Sequence, residues 1–241
     1  MSGQPSILQQ LRELHAKFGL ARTLKHASFR LVNRFAYLDC LHIIALERSD
    51  LKPLDAGKVC RLSTKMATRT DLEAMQEEGC WEINERKLEF FDHGDACLLS
   101  YVDGELAGYT WAHTRGCPEI IPGLILSVPR AYLYNFAAFT LPKYRGYGLQ
   151  SFRHHALLAC PQWQDRKGLL GYVIHTNYKS KRGQHKSGYQ KIGRIWVIGS
   201  KSRFCALIGR DLRRLGIRRI DCAPPVRLPE ASLRVKERLQ A

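Results

Sequence analysis

The chain has 241 residues, of which 45% are hydrophobic and 25% charged, the proportions of a globular protein with a sizeable core. Its formal net charge of +16 is unusual and predicts an anionic partner. The sequence has no run of eighteen apolar residues and no C-x-x-C pair of cysteines. Polar residues interrupt its N-terminus too often for a secretory signal. We therefore expect a cytoplasmic protein with reduced cysteines, no membrane span and no metal site.

The first 52 residues predict a basic extension, made of a helix and a strand, that packs on the core. Residues 5–17 place apolar side chains at helical spacing, and no acidic residue occurs between His15 and Leu38. One interpretation is a helix that packs its apolar stripe inward and leaves its cations in water. The other is an arm that lies on an anionic membrane surface. Residues 35–50 then read as a strand or as a helix–strand mixture.

The next segments alternate between strand and helix signals. A strand begins near Val59, and Thr70-Asp71 is expected to cap a helix. Residues 95–114 predict a hairpin, because Asp103-Gly104 is a strong turn signal between two apolar runs. An uncharged run of aromatic, aliphatic and Thr residues over 131–141 predicts a buried strand.

A tight turn and a helix follow this buried strand. Pro142 ends the strand, Arg145-Gly146-Tyr147-Gly148 forms the turn, and residues 149–160 have helical spacing. Glycines let a ligand approach the backbone, and the free N–H groups of a first helical turn favour an anion. Further on, the pattern predicts a strand over 167–176, a helix around 178–187 and a strand pair near 194–199.

The stretch KYRGYGLQ after an apolar strand resembles the R/Q-x-x-G-x-G/A signature of the GNAT superfamily of acetyl-CoA-dependent N-acetyltransferases. A second similarity lies downstream, where Asn177-Tyr178-Lys179-Ser180 leads to Gly188-Tyr189. Gln150 stands where the family usually has Gly or Ala, and Gln184 where it usually has a general-acid Tyr. The resemblance covers roughly residues 58–200.

The resemblance implies an α+β, GNAT-like fold with a mixed, mostly antiparallel central sheet flanked by helices. It implies a GNAT-like domain over 53–200, leaving 201–241 as a basic C-terminal extension that contains a helix and a Pro-punctuated tail with a terminal helix. Acetyl-CoA or a longer acyl-CoA would be the co-substrate. The residues expected to contact it are Phe136, Ala137, Ala138, Phe139, Arg145, Gly146, Tyr147, Gly148, Leu149, Gln150, Asn177 and Ser180.

The implied reaction passes an acyl group to an amine, which must first lose a proton. The strand before the turn offers no Glu for this purpose, so His113 and His175 are the candidate bases. Gln184 is the candidate group beside the departing sulfur. Because only Asp165 is acidic between Glu119 and Asp211, we expect an anionic small-molecule or lipid-linked acceptor.

Two functions from other classes stay open on the sequence alone. The departures at Gln150 and Gln184 suit a GNAT-like protein that binds acyl-CoA without transferring its acyl group. The basic segments 15–38 and 201–219 suit a protein that binds a membrane or a nucleic acid. Nucleic acid is the less favoured of those partners, because the chain has no aromatic stacking pattern or nucleic-acid-binding motif.

Overall fold

The computed structural model describes residues 7–79, 83–200 and 203–220. The helices in these ranges are α1 (Ile7–Phe18), α2 (Leu20–Phe35), α3 (Ala56–Val59), α4 (Arg69–Glu77), α5 (Glu85–Asp92), α6 (Leu149–Ala159), α7 (Tyr178–Ser187) and α8 (Arg210–Arg214). The strands are β1 (Tyr37–Glu47), β2 (Leu62–Met66), β3 (Ala96–Val102), β4 (Glu105–His113), β5 (Glu119–Ile121), β6 (Leu124–Leu126), β7 (Tyr132–Thr140), β8 (Gly168–Ile174), β9 (Gln190–Gly199), β10 (Phe204–Ile208) and β11 (Arg219–Ile220). Among the described helices, none has both the length and the apolar character needed to cross a membrane.

Eight strands form one sheet in the order β10-β9-β1-β8-β7-β4-β3-β2. Every neighbouring pair is antiparallel except β7 and β8, which are parallel. A smaller antiparallel sheet joins β11, β6 and β5. The predicted α+β class, with a mixed and mostly antiparallel central sheet flanked by helices, is confirmed.

Both faces of the large sheet are covered, because successive side chains of a strand point to opposite sides. On one face Leu157 and Leu158 of α6 pack with Ala112 of β4. On the other face Trp111, the neighbour of Ala112, packs in a cluster with buried residues of α4 and α5. The small sheet and α8 cover the rest of that second face, over β1, β8 and β9.

Segments from both ends of the chain enter the large sheet. β1 lies between β8 and β9, so residues 37–47 form a central strand of the sheet itself. The basic helix expected just after residue 201 is found only at α8, because residues 204–208 form β10, which pairs with β9. Pairing and packing override helical propensity there. The predicted C-terminal tail and its terminal helix lie outside the described residues.

Turn and cap chemistry explains two of the local structures. The predicted β3–β4 hairpin is confirmed, with positive φ at both Asp103 and Gly104. The α4 cap lies at Thr68 rather than Thr70, because Thr68 and Asp71 form a reciprocal capping box. A hydrogen bond from Lys65, followed by bonds from Thr68, lowers the pKa of the Asp71 carboxyl to about 2.

Candidate active site

The parallel strands β7 and β8 separate in the middle of the sheet. They pair only over Tyr132–Tyr134 and Gly168–Leu170, although β7 continues to Thr140 and β8 to Ile174. Beyond Tyr134 the two strands therefore face each other with unpaired edges. Unpaired strand edges can bind an extended ligand through its amide groups, as they would bind another strand.

A β-bulge in β7 lies in this opening, at two residues predicted to contact the cofactor. Tyr109 of β4 is opposite Phe139 and Trp111 is opposite Phe136, so Ala137 and Ala138 together face one residue. Ala137 has φ of 47°, an uncommon value for a residue with a side chain, and both alanines are exposed. The bulge interrupts the β4–β7 ladder and bends β7 beside the opening.

The predicted phosphate turn connects the end of β7 to the start of α6. Gly146 and Gly148 have φ of 93° and 80°, and Gly148 is the N-terminal cap of α6. No atom lies within 4 Å of the position that a Cβ would take on either glycine, beyond their own chain neighbours. The turn thus presents open backbone at a helix N-terminus, where N–H groups lack intrahelical acceptors.

A cationic surface cavity of about 330 Å³ adjoins this turn. Its lining combines Arg145, Gly146 and Tyr147 of the turn with Lys58 of α3 and the following Arg61. Lys58 and Arg61 each pair with an aspartate, whereas Arg145 makes no ion pair with any residue that the structure describes. Arg145 is therefore available to a bound anion.

Gln150, the departure from the family signature, packs against α7. A Cβ on Gly183 would lie 2.7 Å from Oε1 of Gln150, so the absence of a side chain at 183 makes room for the Gln150 amide. Ser151 and Ser187 also approach to 2.9 Å between their hydroxyl oxygens. The larger residue on α6 is thus matched by a glycine on α7.

Three predicted site residues lie on α7 or at its start. Asn177 caps the helix, and its Oδ1 accepts a hydrogen bond from the Ser180 backbone N–H at 2.9 Å. The Asn177 side-chain NH₂ remains a potential donor. Gln184 lies about two helical turns after Asn177, and its Oε1 is buried without a hydrogen-bond partner among the described residues.

His113 lies at the end of β4, opposite Tyr134, where β7 and β8 are still paired. Its Nδ1 is 2.8 Å from Oδ1 of Asp95, and both side chains are at least nine-tenths buried. The Nε2 atom is buried and has no hydrogen-bond partner in the described chain. The Asp95 carboxylate lies beside one imidazole nitrogen and leaves the other available to exchange a proton.

His175 follows β8 and is part of a different cluster. Its Nδ1 is 2.8 Å from Nε2 of His42, and the thiol of Cys40 lies with these imidazoles, their ligand atoms within 4.8 Å of one another. Burial, and then the charge of Lys181, lowers the pKa of each imidazole to about 4. Such a pKa makes His175 a weak base at neutral pH.

One thiol and two imidazoles could ligate zinc, which the sequence did not predict because the three residues come from β1 and from the end of β8. The surroundings disfavour a divalent cation, however. Lys25, Lys181, Lys191 and Arg194 all act electrostatically on His175. The local field therefore favours an anion over a metal ion.

No family model and no curated protein matches this sequence. Among solved structures, a functionally unknown conserved protein from Staphylococcus epidermidis matches at 10% identity, with a TM-score of 0.46, over 82% of this chain and 81% of that one. A GCN5-related N-acetyltransferase from Kribbella flavida matches at 13% identity, with a TM-score of 0.45, over 77% of this chain and 65% of that one. A predicted acetyltransferase from Clostridium acetobutylicum, solved with acetyl-CoA, matches this chain at 11% identity, with a TM-score of 0.37, over 54% of this chain and 90% of that one.

Three residues of the candidate site were not predicted from the sequence, namely Lys58, Arg61 and Asp95. The first two reach the phosphate turn from α3 and its C-terminal flank, and Asp95 meets His113 from the start of β3. No local spacing in the sequence connects these residues to the site. Only strand pairing brings them together.

Proposed function

We propose that the protein transfers an acyl group from acetyl-CoA or a longer acyl-CoA to an amine. The observation that carries the proposal is the opening between β7 and β8, which leads to an unobstructed glycine turn at the start of α6. An extended pantetheine arm and a pyrophosphate suit these two features in that order. We also propose that the reaction takes place in the cytoplasm. The cysteines are scattered without a C-x-x-C pair, as suits reduced thiols in a reducing compartment.

In this proposal the cofactor is held at three points. The pyrophosphate accepts hydrogen bonds from backbone N–H groups of residues 146–150, and Arg145 adds charge to that contact. The pantetheine amides pair with the edge of β7 that faces β8 over Phe136–Phe139. The Asn177 side-chain NH₂ donates to a pantetheine carbonyl, while its oxygen continues to cap α7.

The chemical step needs a base and a place for the departing sulfur. His113, oriented by Asp95, accepts the proton of the ammonium, and the resulting amine attacks the thioester carbonyl carbon. The new C–N bond forms as the C–S bond breaks, and the coenzyme A thiolate leaves and takes up a proton. Gln184 stands beside the sulfur, where its amide group can hydrogen-bond the thiol.

Two assays test the proposal. Calorimetric titration of acetyl-CoA should show binding to wild type and weaker binding to Arg145→Gln, by about 10- to 150-fold for a lost charged hydrogen bond of about 1.5–3 kcal/mol. Arg115→Gln, which removes the same charge from an exposed position outside the cavity, should bind like wild type. Thiol release with a panel of amines then tests transfer.

Each assay has an outcome that rejects part of the proposal. Failure of wild type to bind any acyl-CoA would reject the cofactor site. Binding without thiol release for any amine would reject transfer and leave a non-catalytic acyl-CoA-binding protein.

We also propose that α2 contacts an anionic membrane surface. Phe29 packs inward against His175, whereas four large apolar residues on the opposite side of α2 are 59–83% exposed, namely Leu20, Leu24, Leu31 and Phe35. Basic residues flank this stripe, as in helices that lie at a lipid interface. Sedimentation with vesicles containing phosphatidylserine should capture wild type but not Leu24→Gln/Leu31→Gln. Equal capture of that variant would reject the helix as the contact, and Leu215→Gln serves as an exposed control.

A further inference from the structure

A continuous series of contacts links cations across the junction of α2, α7, β1 and β9. Lys181 donates from Nζ to the carbonyl oxygen of His175 at 2.6 Å, and the His175 imidazole contacts that of His42. His42 is directly opposite Arg194 across the β1–β9 pair. The Phe29 ring, 5.8 Å from the His175 ring, brings α2 over the same place.

Tyr178 extends the series to α2. The Arg22 guanidinium lies 5.5 Å from the Tyr178 ring centroid, and the Lys181 ammonium lies 4.5 Å from it. Lys25 follows Arg22 by three residues, so both occur on neighbouring turns of one side of α2. Lys25, Lys181 and Arg194 therefore all act on the paired imidazoles, and Arg22 adds its charge beside Lys181.

This charge is not neutralised within the described chain. None of Arg22, Lys25, Lys181 and Arg194 forms an ion pair with a described residue. Asp39, the nearest acid on β1, points to the opposite face of the strand from Cys40 and His42. Burial, and then the charges of Lys25 and Arg22, lowers the pKa of Lys181, as expected where like charges gather without a counter-ion.

We propose that this cluster binds a phosphate monoester, and that the phosphate belongs to the amine acceptor of the acyl transfer. Arg and Lys side chains supply charge-assisted donors, and a neutral imidazole supplies one further N–H donor. The assignment to the acceptor rests on the proposed function, because His175 and Lys181 flank Asn177 and Ser180 beside the wide end of the β7–β8 opening. The binding of phosphate does not depend on that function.

The test is calorimetric titration with O-phosphoethanolamine, inorganic phosphate and ethanolamine. Both phosphates should bind wild type, and ethanolamine should not. Lys181→Gln/Arg194→Gln should weaken binding of both phosphates at least tenfold. The matched control, Lys179→Gln/Arg182→Gln, removes the same charge from two exposed positions of α7 and should bind as wild type does.

Acetyl-CoA is titrated into the same proteins, so that the two proposals fail separately. Unchanged acetyl-CoA affinity in Lys181→Gln/Arg194→Gln is expected, because Arg145 and its cavity are left intact. Phosphate binding that the variant loses, in a protein that never binds acetyl-CoA, would support the anion site while rejecting the proposed function. Equal phosphate affinity in both double variants, or none in wild type, would overturn the anion site.

Two further experiments test whether the phosphate belongs to a lipid and whether the cluster binds a metal ion instead. Vesicles of phosphatidic acid should capture wild type but not Lys181→Gln/Arg194→Gln if the acceptor is lipid-linked, and vesicles of phosphatidylcholine should capture neither. This result would support the anion site with a lipid-linked acceptor. One equivalent of Zn²⁺ bound by wild type and lost in Cys40→Ser, without any phosphate binding, would overturn the proposal in favour of a metal site.

Discussion

Gly108 determines how closely β7 approaches β4, and its substitution by alanine tests the packing beneath the proposed cofactor site. Gly108 is opposite Thr140 near the end of β7, and its missing side chain faces α6. A Cβ there would lie 2.3 Å from the Phe139 carbonyl oxygen, 2.8 Å from Nη1 of Arg153 and 3.0 Å from the Thr140 Cα. The backbone contact is the serious one, since a strand cannot move aside as a side chain can.

The contacts of Arg153 make position 108 still less tolerant of a side chain. This guanidinium is only 2% exposed, and it donates hydrogen bonds to the hydroxyls of Ser100 and Thr140. Burial lowers its pKa to about 10, so it remains charged at neutral pH and needs both bonds. Moving Thr140 by about 1 Å to admit a Cβ would stretch them. We therefore expect Gly108→Ala to lower the free energy of unfolding by about 3 kcal/mol, the upper end of the range for overpacking.

The free energy of unfolding of Gly108→Ala, measured in urea, should fall by about this amount. For a domain of this size the melting temperature should fall by roughly 6–12 °C. Gly57→Ala is the control, because its Cβ would meet only the Asp55 carboxylate, at an ordinary 3.5 Å. A Gly108→Ala protein within 1 kcal/mol of wild type would refute the reasoning.

Three other predictions concern the cap, the Gln150 contact and the base. Asp71→Asn should lower the unfolding free energy by about 1–2 kcal/mol at pH 7. Because folding lowers the pKa of this carboxyl from its ordinary 3.8 to about 2, the loss should be constant above about pH 4 and shrink as pH falls towards 2. The control Glu77→Gln should cost nothing in urea unfolding. Gly183→Ala should stabilise the protein by about 1 kcal/mol in Gln150→Ala, because alanine is favoured over glycine inside a helix. The gain should be smaller in wild type, where the new Cβ must displace the Gln150 amide, and additive effects in this double-mutant cycle would contradict the contact. His113→Gln should reduce kcat by about 10²–10⁴ with the acetyl-CoA Kd unchanged, and full activity would exclude His113 as the base.

Much of the fold could be predicted where local signals agree with tertiary pairing. Asp103-Gly104 specified the hairpin through the positive φ of both residues, and the uncharged run before Pro142 specified a strand, although only residues 133–135 of it are buried. Where local and tertiary preferences disagreed, the prediction failed. The basic stretch after residue 201 favoured a helix, but pairing with β9 made residues 204–208 a strand.

The residues of the candidate site likewise fall into those that local sequence predicts and those that only the tertiary structure brings together. Arg145, Gly146 and Gly148 could be chosen from the sequence because adjacent residues form the turn and the helix start, and Asn177 because it caps the next helix. The sequence by itself also determined the excess of positive charge. Only the tertiary structure decided where that charge converges and which base has an orienting carboxylate. Residues distant in the chain become neighbours when β1 enters the sheet beside β8 and β9 and when β3 pairs with β4, and strand order is a property of long-range pairing that no local pattern encodes.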